Sequence, residues 1–254
     1  MKAERPNFER IEQLRAHEYV AEQIRRQIGL RLIDTGQSLP SDRELAEMFG
    51  VARTTVQAAI HLLEADRLVE TRRGRRGGTF VIAPSGDGLS RDYLLARLRS
   101  SAAAIRQALT FRAAVEPLAA SLAAAEWTRP ELAATRRAAS RAAAAEDDPS
   151  FMAGDTEFHL VIARAAHNQF VYSAVEQTRL MLNDALMALP ESDLWHRRSV
   201  DEHEAILEAI TERDADGAAR AMRLHADSTE QSITALLRSV ELRRARPRTR
   251  ARAR

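Results

Sequence analysis

Apolar positions in the first third of the chain recur at helical spacing. Tyr19, Val20, Ile24 and Ile28 mark one face of a helix over roughly 12–34, which a Gly-Gln-Ser-Leu-Pro stretch at 36–40 ends. Ser41 and Glu44 follow Pro40 with the three-residue spacing of a capping box. The serine oxygen can accept from an orphan amide while the glutamate reaches back, so a short helix over about 41–49 is expected. Gly50 supplies a turn, and Val56, Ile60 and Leu63 then line one face of a third helix, roughly 52–66. Leu68–Thr71 and Thr79–Ile82 read as two short strands around a basic, glycine-rich tip, a β-hairpin.

The pattern changes after residue 83. Pro84 to Gly88 reads as a linker, and beyond it only Gly154 and Gly217 remain of ten glycines, with no strand signal. Breaks near Thr128–Pro130, Asp147–Pro149, His167–Asn168, Pro190–Asp193 and Asp214–Gly217 suggest about seven helices from 89 to 242, the first a short one at 89–99. The expected fold is therefore mostly α. A winged helix-turn-helix (three helices plus a β-hairpin) occupies 12–83, a linker 84–88, an all-helical bundle 89–242, and a basic disordered tail 243–254.

Composition narrows the function classes. The 254 residues are 45% hydrophobic, enough for globular cores. No run approaches the roughly 20 uninterrupted apolar residues of a membrane span, and the first residues lack an apolar signal segment, so a cytoplasmic protein without membrane contact is expected. The absence of cysteine removes disulfides, thiolate zinc sites and cysteine nucleophiles together, so any metal site must use His and carboxylates. Charge is uneven: residues 1–83 carry a net +2, 84–242 a net −7 and 243–254 a net +7. An acidic middle repels phosphates, which confines nucleic-acid contact to the first segment or the tail.

Within the third helix, Arg53 and Gln57 lie one turn apart, opposite Val56, Ile60 and Leu63, so a reading face separates from a core face. Arg53 suits a bidentate guanine contact and Gln57 an adenine, while Thr54 and Thr55 suit phosphate or thymine-methyl contacts. Arg43, on the preceding helix, suits a phosphate or base edge, and Arg73, Arg75, Arg76 and Gly77 form the wing tip. Taken alone, Arg43 also reads as a solvated charge and Thr55 as a buried cap. The run LPSDRELAEMFGVARTTVQAAIHLLEADRLVETRRGRRGGTFV (39–81) resembles the DNA-binding domain of GntR-family regulators, and the resemblance implies DNA contact by Arg43, Arg53 and Thr54. Three positions depart from that family's pattern. Gln57 stands where Arg is common; Ala52 replaces a capping Ser, typically worth ~1 kcal/mol; and Arg67 replaces a helix-ending Gly, which implies a left-handed residue there. The basic wing implies a steep salt dependence of binding.

In the helical region Asp155 and His159 are four apart on one face, and His203 sits among Val200, Ile206, Leu207 and Ile210 at spacings that aim it inward. His225 shares a face with Ala218, Met222 and Thr229. One carboxylate and three imidazoles from three helices would make a site for a borderline divalent metal with room for a ligand. Spacing alone leaves open the plainer reading, a surface Asp155–His159 pair and a core His203 that satisfies a backbone group. FRAAVEPLAASLAA (111–124), DTEFH (155–159), EHEAILEAI (202–210) and MRLH (222–225) resemble the FCD ligand-binding domain of the FadR subfamily. The metal-containing members of that subfamily place one Asp and three His at these four positions. The resemblance thus implies a divalent metal, zinc first, with nickel, manganese and iron also compatible. It also sets Arg112 near the effector cavity, where a guanidinium can clamp a carboxylate, whereas sequence alone allows a simple Arg112–Glu116 ion pair. Asn183, polar on an apolar stripe with Leu180 and Met187, is a second candidate effector contact.

The function expected is a regulator, in the repressor sense, that binds double-stranded DNA at a pseudo-palindromic operator as a homodimer, because one winged domain alone offers little specificity. A small carboxylate would control it. Rival readings are an architectural DNA-binding protein without effector, and a metal-dependent hydrolase or lyase, for which no base stands at a characteristic spacing. A pyridoxal-phosphate domain would need a Schiff-base lysine, and Lys2 is the only one.

Overall fold

The computed structural model describes residues 15–33, 35–74, 77–82, 91–189 and 193–245. The predicted linker 84–88, the wing residues Arg75 and Arg76, and residues 246–254 of the predicted tail lie outside the described residues. Two units divide the chain: residues 1–26 with 35–82, and residues 27–34 with 83–254.

The first unit is built from α1 (Ala16–Gly29), whose last residues from Gln27 on fall in the second unit, α2 (Asp42–Phe49), α3 (Arg53–Ala65) and a hairpin of β1 (Val69–Arg72) and β2 (Gly78–Val81). The capping box at the start of α2 is present: Ser41 Oγ accepts from the Glu44 amide and the Glu44 carboxylate accepts from the Ser41 amide. Gly50 ends the helix in the left-handed conformation at φ 64°. The N-cap Ala52 makes no side-chain cap, as its methyl dictates. Val20, Ile24, Leu45, Val56, Ile60 and Leu63 form the buried side of these helices. The strands are antiparallel, with Val69 opposite Val81 and Arg72 opposite Gly78, one residue from the expected limits at each outer end. Ser38 adds a bridge to Phe80, so the segment before α2 flanks the hairpin.

The first helix ends at Gly29, earlier than the 36–40 stretch suggested. The Arg31 amide bonds to the Ile28 carbonyl and the Leu32 amide to the Gln27 carbonyl, with Arg31 at φ 60°, which closes the helix without a glycine at the left-handed position. Arg67 closes α3 in the same way at φ 56°, the conformation its place in the sequence implied.

The second unit is all helix: α4 (Arg91–Glu126), α5 (Arg129–Ala143), α6 (Asp148–Ala165), α7 (Gln169–Met187), α8 (Asp193–Thr211) and α9 (Ala215–Ala245). The expected breaks after residue 126 all occur. The separate short helix at 89–99 does not: residues 91–126 form one helix, because the alanine-rich stretch after Leu98 continues the helical row through Ile105 and Leu109 into the core. Six helices, not about seven, are thus described. Residues 243–245, expected in the disordered tail, extend α9. Leu94–Glu126 is the one helix among the described residues long and apolar enough to cross a membrane. It lies in the core of this unit, with a buried Arg112–Glu116 pair in its middle. Pro117 lies inside α4, and the close approach of Gly154 to the Ala142 backbone marks where α6 packs tightly against α5.

Candidate functional site

On α3 the sequence-predicted reading face is open to solvent. Arg53, Thr54 and Gln57 are exposed and Thr55 is half-buried, while Val56 and Ile60 on the far side are buried. Gln57 Nε2 donates to Asp42 Oδ2 at 3.1 Å, and Arg43, largely exposed, lies 3.8 Å from Glu47. His61 extends the row from Arg53 and Gln57 by one more turn. Its signal in the sequence was the same four-residue step. In the wing, Arg72 is spent internally: its guanidinium pairs with Glu70 and lies 4.7 Å over the Phe80 ring. Arg73 remains exposed. Gly77 is required by space, because a Cβ there would come within 2.4 Å of the Arg72 carbonyl.

In the second unit, α6, α8 and α9 bring Asp155, His159, His203 and His225 together. All four are buried, and one donor atom from each lies within 4.8 Å of the others. Asp155 and His159 meet because four residues make one helical turn, and His203 is seated by stacking on Phe158 at 4.2 Å. The two oxygens of Asp155 face different partners. Oδ2 accepts from Arg179, and Oδ1 lies 3.3 Å from His203 Nε2 and 3.7 Å from His159 Nε2. Both nitrogens of His159 and His203, and Nε2 of His225, have no aligned hydrogen-bond partner. Buried imidazoles rarely stay unsatisfied, so this donor set fits a divalent cation.

Carboxylates stand behind two of the imidazoles. His225 Nδ1 is 2.8 Å from Glu202 Oε2, which leaves Nε2 aimed at the cluster, and His159 Nδ1 lies 3.2 Å from Glu116 Oε2. Burial pushes the His159 imidazolium down to about 4, with Glu116 opposing the shift, and burial with the charges of His203 and Arg112 holds His225 well below its ordinary value. Burial would raise Asp155, but Arg179 and the histidines hold it well below the usual carboxylate range. Glu116 is likewise brought to about 2, chiefly by Arg112 against the cost of burial. His159 and His225 are therefore neutral imidazoles and Asp155 is ionised, the forms that ligate a metal.

Arg112 is 1% exposed. Its Nε donates to Glu116 Oε2 at 2.7 Å, while both terminal nitrogens, buried, have no partner. The ion pair allowed by the sequence is present, and both terminal amino groups of the guanidinium remain unused. The Ser199 hydroxyl, one turn before His203, is also buried without a partner. Asn183 is buried, with its oxygen 3.4 Å from Thr156 Oγ1 and its nitrogen 3.3 Å from the Gly29 carbonyl. Sequence reasoning missed Arg179, Glu202 and Ser199. For Arg179 a signal existed, a cation in the buried row Val175, Leu182 and Leu186.

A winged helix-turn-helix whose third helix leaves its predicted reading face exposed, joined to a helical unit with a buried His and Asp cluster that could hold a metal, has the architecture of a DNA-binding regulator. The chain belongs to the gntR family of bacterial regulatory proteins, which it matches over residues 16–81, and carries an FCD domain over residues 95–228. It is 31% identical over 227 residues to the Uxu operon transcriptional regulator of Escherichia coli strain K12, covering 86% of this chain and 87% of that one. To the HTH-type transcriptional repressor NanR of Cronobacter sakazakii it is 30% identical over 230 residues, with 86% and 85% covered. The solved structure of E. coli McbR/YncC shares the fold at 18% identity and a TM-score of 0.51, covering 89% of this chain and 99% of that one.

Proposed function

We propose that this regulator is a repressor whose operator binding is controlled by a small organic acid held beside a divalent metal. Asp155, His159, His203 and His225 hold the ion, zinc first, and the ion would supply open coordination positions for an oxygen of the effector. Arg112 clamps the effector carboxylate through its two terminal nitrogens, and Ser199 offers a further hydroxyl. The observation that carries this reading is the set of buried, unpartnered donors on Arg112 beside unpartnered imidazole nitrogens. Protein interiors rarely leave such groups unsatisfied, so a bound ion, water or ligand is expected to complete them.

The DNA half is read through Arg43, Arg53, Thr54, Thr55 and Gln57, with the wing (Arg73, Arg75, Arg76 and Gly77) on the backbone. A homodimer on a pseudo-palindromic operator supplies the specificity. Phe111 and Leu118, seven apart on α4 and each about half exposed, support a face for the second copy. That a relative is named a repressor supports the sign.

The test is elemental analysis of the purified protein with thermal-shift screening of small carboxylates, before and after chelation. A bound transition metal and a carboxylate shift that chelation abolishes are expected. Protein with neither would overturn the reading.

A further inference from the structure

Asn183, expected to touch the effector, has both ends of its amide engaged elsewhere, and its partners form part of an unbroken chain. Arg179 donates to Asp155 Oδ2 and, through the same nitrogen, to Thr156 Oγ1 at 3.1 Å. Thr156 Oγ1 donates to Asn183 Oδ1 at 3.4 Å, and Asn183 Nδ2 donates to the carbonyl of Gly29 at 3.3 Å. Donor and acceptor roles are consistent at each link: the hydroxyl accepts once and donates once, and the amide uses both ends. Arg179, Thr156 and Asn183 are each at most 1% exposed, so no water competes.

The far end of the chain is a particular place. Residues 27–34 belong to the second unit, while residues 1–26 and 35–82 form the first. Gly29 is the last residue of α1, where helix carbonyls lack intrahelical partners. α7 grips this segment at three neighbouring positions. Asn183 takes the Gly29 carbonyl, Asp184 pairs with Arg31 at 3.3 Å, and Leu180 packs so close to Gly29 that a Cβ there would sit 3.1 Å from its Cδ2. Leu30 is fully buried in the same core as Val175 and Phe158.

We propose that Arg179, Thr156 and Asn183 report the occupancy of the Asp155 site to the 27–34 segment, so that Asn183 is a coupling residue. The proposal rests on the metal reading above. A cation held by Asp155 Oδ1 draws on the same carboxylate charge that Arg179 holds through Oδ2, so filling the site weakens the first link. The guanidinium then shifts its hydrogen bonding to Thr156, and the change passes through one hydroxyl and one amide to the end of α1. A ligand shifts an equilibrium only through differential affinity for its two arrangements, and this chain provides a physical difference between them.

The experiment is hydrogen exchange on the full-length protein, chelated and with added Zn²⁺, read at the Arg31 and Leu32 amides that close α1, with Zn²⁺ affinity measured in parallel. In the wild type, exchange at these amides should change about threefold or more on Zn²⁺ binding. Thr156→Val keeps the shape and removes the hydroxyl. It should bind Zn²⁺ within about threefold of wild type yet lose the response at Arg31 and Leu32, whereas Thr156→Ser should retain it. General stabilisation by the metal reaches all three proteins alike and does not imitate this pattern. A Thr156→Val protein that responds like wild type, or a wild type that binds Zn²⁺ without change at these amides, overturns the coupling and leaves the metal site standing. A wild type that takes up no Zn²⁺ overturns the site reading, and this proposal with it.

Discussion

At the scale of single residues, the candidate site holds two imidazoles, His159 and His225, whose charge state burial has set. His159 is held at about 4 and His225 well below 6.5, so both are neutral in the folded chain at pH 6 while the unfolded chain binds protons there. For groups with depressed folded values, the stability they contribute is present above the unfolded value of 6.5 and is lost as pH falls through the folded value. Chelated protein should therefore lose stability as pH drops from 6.5 toward 4, by up to ~1.4 kcal/mol per pH unit for each histidine. Denaturant unfolding across that range checks it, and His159→Gln should flatten the loss by one proton. On the DNA side, Arg53→Ala should weaken operator binding about 10- to 100-fold and relax specificity at one base. Arg73→Ala should weaken all sequences alike and reduce the salt slope by about one. Fluorescence anisotropy against matched and mutated operators separates the two. Asp155 and His159 were legible in the sequence because both lie on one helical turn. For Arg179 the sequence offers only a cation in a buried row, because its partner is supplied by a different helix and spacing carries no information across helices. Asn183 illustrates the same limit: its sequence position marks it as a buried polar residue but does not tell which partners satisfy it.

At the scale of elements, helix ends decide how the site is assembled. The capping box of α2 and the breaks between α4 and α9 could be read directly, because Ser, Asp, Asn and Pro at a helix start act through their immediate neighbours. The end of α1 could not. Arg31 takes the left-handed conformation usually left to glycine or asparagine, as do Arg67, His167 and Arg213, and in α1 the packing of Leu30 in the core holds it there. The continuity of α4 was missed for a related reason: alanine favours helix everywhere and marks no boundary. Gly154 shows how element packing reaches the site. A Cβ at this position would lie 2.6 Å from the Ala142 backbone nitrogen on α5, and the next residue is Asp155. Gly154→Ala should force α5 and α6 apart, destabilising the chain by about 1–3 kcal/mol. It should also lower Zn²⁺ affinity by displacing Asp155. Urea unfolding and a chelator competition titration measure the two effects, and an unchanged metal affinity would mean that the helix shift is absorbed away from the site.

At the scale of the whole molecule, the chain divides into two units, and a metal cation and DNA make chemically opposite demands on them. Residues 84–242 carry a net −7, which suits a cation site and repels phosphate, while the exposed arginines of α3 and the wing belong to the other unit. Metal binding must then appear first as stability of the second unit. Both tryptophans lie there and are tied to its core: Trp127 Nε1 donates to the Ile210 carbonyl at 2.7 Å, and Trp195 packs edge-on against Phe151 at 5.3 Å. Tryptophan fluorescence therefore follows the unit that would hold the ion and is silent about the other. A ligand present at a hundred times its dissociation constant stabilises the folded form by ~2.7 kcal/mol. For a unit of this size that corresponds to a rise in the fluorescence melting point of about 5–10 °C. Zn²⁺ should produce this rise in the wild type and in Thr156→Val alike, because coupling to the 27–34 segment is not needed to fill the site. In His203→Ala, which removes a ligand donor, the rise should vanish. A His203→Ala protein that still gains the full shift from Zn²⁺ would place the ion elsewhere and remove His203 from the site.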